Sequence, residues 1–72
     1  MNAPLAEKMF RKAIPLSPNL ASAYNDLGLL LRDNGGDPKE TIALWERFLQ
    51  LRPNDKDAGA IRAAIAQLKA GR

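Results

Sequence analysis

The chain has 72 residues and contains no cysteine and no histidine. Without cysteine there is no disulfide to staple the fold and no thiolate to hold a metal. Without either residue a general base would have to be Asp, Glu or Lys. Nucleophilic catalysis would fall to Ser17, Ser22 or Thr41 with a carboxylate or amine helper. No arrangement of that kind stands out: Asp26 and Asp33 lie seven apart on one helical stretch and read as solvated surface. No metal-ligand cluster is present in the pattern. An enzymatic role, a metal and a cofactor are therefore not expected.

Apolar runs are short, as in Leu29-Leu30-Leu31, and nothing approaches the roughly 20 apolar residues of a membrane span. Met1 to Phe10 carries charge without an apolar stretch, so it does not read as a signal peptide, and a cytoplasmic location is expected. Alternation of β-branched and polar residues is missing, as are hairpin turns, so no strand is expected. Charge of one sign does not dominate: eleven basic residues are interleaved with eight acidic ones for a net charge of +3. That scatter makes nucleic acid an unfavoured partner. Clustering of Arg11, Lys12, Arg47 and Arg52 on one surface would raise that reading.

What is there is a repeat. Ala6-x3-Phe10 followed by Pro18-Asn19 recurs as Thr41-x3-Trp45 followed by Pro53-Asn54, each pair 35 residues apart. At the same offset Met9 matches Leu44, Lys12 matches Arg47, Ile14 matches Leu49 and Leu16 matches Leu51. A gapless period of this size points to stacked helix pairs.

Punctuation and periodicity place four helices. The first runs from about Ala3 to Ile14, with Leu5, Ala6, Met9, Phe10 and Ala13 along one side and Pro15 ending or kinking it. The second runs from about Leu20 to Asp33, capped by Ser17 or Asn19, with Leu20, Tyr24, Leu27 and Leu31 inward and Asn34-Gly35-Gly36 as its stop. The third starts at Asp37-Pro38-Lys39-Glu40, with Asp37 as N-cap and Glu40 positioned to reach back as a capping box. It buries Ile42, Trp45, Phe48 and Leu44 or Leu49, and Pro53 closes it. The fourth starts near Asn54 or Asp55 and reaches about Lys69, with Ala58, Ile61, Ile65 and Leu68 inward and Gly71 as its stop. The short connections predict antiparallel neighbours.

These residues resemble the tetratricopeptide repeat family. Tyr24-x2-Leu27-Gly28-x2-Leu31 is similar to the first helix of a repeat, and Thr41-x3-Trp45 with Pro53 to the second. Ala6-x3-Phe10 with Pro18 is similar to the second helix of a preceding repeat. The sequence departs from the pattern with Thr41 at a small-residue position, Phe48 where alanine is usual, an Asn34–Pro38 turn one residue longer than the pattern's, and Pro15 inside helix. The resemblance implies an all-α fold, antiparallel helix hairpins stacked as a short α-solenoid. Residues 3–15 would be the second helix of a partial repeat, 19–53 a full repeat and 54–70 a capping helix.

The resemblance also implies a protein–protein interaction module that holds a peptide or partner protein in a groove. It carries that role onto the outward positions of the second helix: Ser22, Asn25, Leu29, Arg32 and Asp33. Leu29 would either touch a ligand or rest on the fourth helix, while Asn25 and Arg32 would serve a peptide backbone and a carboxylate. In the same picture Gly28 lets the helices of the pair approach closely and Trp45 fills the space between them. One and a half repeats are few for a stack, and the first helix lacks a cover. The chain is therefore expected to belong to a longer array or to self-associate, in the latter case through Met9, Phe10 and Ala13.

Overall fold

The computed structural model describes residues 3–71, and all regular structure in them is helical: α1 (Ala3–Leu16), α2 (Ala21–Asp33), α3 (Pro38–Leu51) and α4 (Ala58–Lys69). Each helix packs on its neighbour in sequence, α1 on α2, α2 on α3 and α3 on α4. Between α1 and α4, and between α2 and α4, no Cα atoms come within 8 Å. The result is a stack of antiparallel helix pairs, as the short connections predict.

α1 does not stop at Ile14. It runs through Pro15 to Leu16, and Ser17 N–H still donates to the carbonyl of Ala13 at 2.8 Å. Proline removes only the one donor aimed at the carbonyl four residues back, and in the last turn little helix remains to be disrupted. The turn into α2 is closed by Leu20 N–H on the Ser17 carbonyl (3.0 Å), and the Tyr24 hydroxyl donates to the Pro18 carbonyl (2.7 Å). The side chains of Ser17 and Asn19 do not cap α2. Its N-cap is Leu20, whose side chain has no group to accept a bond, and Leu20 is 47% exposed rather than inward.

α2 ends in a Schellman arrangement. Gly36 N–H donates to the Leu31 carbonyl at 2.7 Å and Gly35 N–H to that of Arg32 at 3.4 Å. The chain reverses through Gly35 at φ +71°, a backbone region costly for any residue with a Cβ. Asp37 then caps α3 through Oδ1, which accepts from Lys39 N–H at 2.9 Å, with Pro38 in the first turn where its missing donor costs nothing. Glu40 does not reach back to complete a capping box. Its carboxylate turns to α1 and takes the guanidinium of Arg11, with Nη2 to Oε1 at 2.9 Å. An opposite charge on the neighbouring helix outcompetes a single neutral N–H.

α4 starts at Ala58, later than the Asn54–Asp55 start read from the sequence. Pro53 to Asp57 form successive turns instead, with Asp55 N–H on the Arg52 carbonyl (3.2 Å) and Asp55 Oδ1 accepting from Asp57 N–H (2.9 Å). A short aspartate side chain bonding the backbone two residues on offers the chain an alternative to helix.

The core lies between α2, α3 and α4: Ala21, Tyr24, Trp45, Phe48, Ile61 and Ile65 form one buried cluster, with Leu27, Leu31 and Ala58 also buried. Each large apolar side chain contributes about 1.5–3 kcal/mol by leaving water. Trp45 sets the spacing of the central pair. It is 1% exposed, and a Cβ on Gly28 would stand 2.7 Å from its Cδ1 and nearer still to Nε1. Only hydrogen at position 28 lets α2 lie this close to the indole.

Candidate functional site: a groove along the second helix

Three depressions follow one another along α2. The first, about 300 Å³, lies by Ser22, Asn25, Arg52, Asp55 and Lys56. The second, about 210 Å³, opens between α2 and α4 and is lined by Asn25, Leu29 and Arg32 on one side and Asp57, Ala60 and Ala64 on the other, with Trp45 beneath. The third, about 330 Å³, is mostly apolar and lies among Arg32, Pro38, Thr41 and Leu68. The three lie in series along α2, the central one sharing Asn25 with the first and Arg32 with the third.

The groove exists because α2 and α4 both pack on α3 while their own Cα atoms stay more than 8 Å apart. Ala60 and Ala64 present only methyl groups on the α4 wall, so the space is not filled from that side. Leu29 is 36% exposed at the opening. Arg32 is held in place: its Cζ lies 5.6 Å from the centroid of the Trp45 ring, and its Nε donates to Asp33 Oδ1 at 3.2 Å. The ring face beneath it and the bond to Asp33 hold the guanidinium beside the groove. The Trp45 Nε1–H is buried with no acceptor, an arrangement that costs about 1–3 kcal/mol.

Of the five groove residues expected from the sequence, Asn25, Leu29 and Arg32 converge on the central depression. Ser22 is exposed and lines the first. Asp33 is exposed, pairs with Arg32 and lines none of the three. The α4 wall (Asp57, Ala60, Ala64) and the role of Trp45 as floor went unnoticed in the sequence. The small residues at 60 and 64, one turn apart, were the available signal.

Of the expected oligomer face, Met9 is 63% exposed, whereas Phe10 and Ala13 are half-buried. The basic residues do not act as one free patch. Arg11 is bound to both Glu7 and Glu40, and Arg47 lies over the Tyr24 ring at 6.0 Å and bonds Gln50. The hydrogen bond from Arg11, reinforced by its charge, holds the Glu40 carboxyl below its ordinary range, and the Arg11 pKa is raised in turn.

Among the described residues no helix is long and apolar enough to cross a membrane, and no group of three or more acidic side chains is placed to hold a metal. The fold and groove define a small all-helical protein of stacked antiparallel hairpins with an open channel between alternate helices. Compared with known proteins, the chain matches no family model, no curated protein and no solved structure.

Proposed function

We propose that the chain is a tetratricopeptide-like interaction module whose α2–α4 groove holds an extended segment of a partner protein. The observation that carries this reading is the convergence of Asn25, Leu29 and Arg32 with Ala60 and Ala64 over Trp45. Such a lining offers what an extended peptide needs. An amide side chain serves its backbone, alanine-walled space takes an apolar side chain, and an anchored guanidinium takes a carboxylate. Similarity to the repeat family rests on Tyr24-x2-Leu27-Gly28-x2-Leu31, Thr41-x3-Trp45 and the 35-residue offset.

Selection of binding peptides from a random library, followed by titration calorimetry, tests it. Peptides that bind the parent chain should lose at least tenfold in affinity on Leu29→Asp and on Arg32→Glu, with helicity unchanged by circular dichroism. Selected peptides that bind both folded variants as tightly as the parent would remove the groove from consideration.

A further inference from the structure

The central depression of the groove carries a charge at each end and none between. Two ionisable side chains stand in its lining, Asp57 on α4 and Arg32 on α2. Asp57 also lines the first depression and Arg32 the third, so the two charges mark opposite ends, with Leu29, Ala60 and Ala64 between them. Arg52 and Lys56 line the first depression and do not enter the central one.

Neither charge is answered from within the groove. Asp57 stands at the N-cap position of α4, where its side chain caps no backbone N–H, and it joins none of the ion pairs among the described residues. The Arg32 side chain donates through Nε to Asp33, which lies outside the lining, and water screens that exposed pair. A wholly acidic segment, or a nucleic-acid backbone, would set negative charge against Asp57. A wholly basic segment would set positive charge against Arg32. Like charges brought together across an interface disfavour the wrong partner.

We infer that the segment held in the groove is amphoteric, with a basic residue at Asp57 and an acidic residue at Arg32. This rests on the groove reading above and specifies its partner. From Asn25, which shares the Asp57 end, to Arg32 is seven helical residues, about 10 Å. Extended chain covers that distance in about three residues. The two charged residues are therefore about three positions apart, with a small apolar residue between them against Ala60 and Ala64. Beyond Arg32 the third depression, about 330 Å³ and mostly apolar beside Pro38 and Leu68, takes a larger apolar side chain next to the acidic one. The lining reads the order of charges rather than the direction of the chain, so a segment running either way fits if its basic residue comes to Asp57.

Peptides selected from a random library on the parent chain, and retained only if Leu29→Asp weakens them, test the charge order by titration calorimetry. They should carry Lys or Arg and Asp or Glu about three positions apart. Exchanging the peptide's basic residue for Glu should weaken binding to the parent about fivefold, and Asp57→Lys should restore it. Asp57→Asn, which keeps the side-chain shape at the start of α4, should abolish the preference between the two peptides, with helicity unchanged by circular dichroism. Leu29-dependent peptides that lack a basic residue, or whose basic residue is exchanged without effect on the parent, would overturn the charge order and leave the groove standing. Recovery of no Leu29-dependent peptide would remove the groove and the charge order together.

Discussion

Replacing Gly28 by alanine sets two effects of opposite sign against each other. Alanine favours the interior of a helix over glycine by about 1 kcal/mol, so on propensity alone Gly28→Ala should stabilise α2. The new methyl, however, would lie 2.7 Å from Cδ1 of Trp45 and nearer to Nε1. The indole is 1% exposed and walled by core residues, so it cannot swing away into water. Overpacking of this kind costs about 1–3 kcal/mol, and two ring atoms closer than 3.0 Å to the added carbon argue for the upper end. The net loss is then about 2 kcal/mol out of a total near 4–11 for a chain of this size, a fall in Tm of roughly 8–16 °C. Thermal and urea unfolding followed at 222 nm measure it. Two companions sharpen the comparison. Gly59→Ala on α4, where a Cβ meets nothing within 4 Å, should raise stability by about 0.5 kcal/mol. Trp45→Phe removes the ring that faces Gly28, so in its background Gly28→Ala should cost little or nothing, a coupling of about 1–2 kcal/mol. A Gly28→Ala variant as stable as the parent, or an equal loss with and without the indole, would refute the idea that this contact sets the helix spacing.

Asp37→Ala removes the acceptor for Lys39 N–H at the start of α3 and should cost about 1 kcal/mol in urea unfolding, with Asp37→Asn recovering most of it. The Arg11–Glu40 pair gives a pH signature. Because the folded Glu40 carboxyl sits below its ordinary range, its contribution is complete above the unfolded value of about 4.3 and is lost as pH falls through the lower folded value. With both partners more than a third exposed, that contribution is about 0.5 kcal/mol. Arg11→Gln should therefore narrow the stability gap between pH 7 and pH 3 by that amount, read by parallel denaturation curves.

The helix pairs were legible in the sequence because they depend on local chemistry. Glycine after Asn34, proline after Asp37 and apolar residues at three- and four-residue steps act within a turn or two of the chain. Gly28 facing Trp45 was legible for a different reason: the resemblance to the tetratricopeptide pattern implies a glycine of one helix set against a large side chain of the next. The misplacements were equally local in origin. Pro15 was expected to end α1 near Ile14 or kink it, and the helix runs on to Leu16, because a proline in a last turn forfeits only one bond. Ser17 and Asn19 looked like caps, but the turn closed through backbone groups and Tyr24. Asp55 looked like the start of α4, and its side chain instead held a turn.

Other features required the assembled chain. Glu40 has a partner inside its own helix turn and another on α1, and which one wins depends on how far apart the folded helices lie. That Trp45 is at once core and groove floor follows from α2 and α4 both resting on α3 with their backbones held apart. The exposed side of α1 is apolar in the sequence just as the buried side of α3 is. Residues Met9 and Leu44 carry the same pattern and differ only in what lies over them. Amino-acid order set the periodicity and the turns, since those come from bonds and sterics among near neighbours. Which apolar stripe is covered, which charge is answered and where a channel stays open were decided in three dimensions, by contacts between residues far apart along the chain.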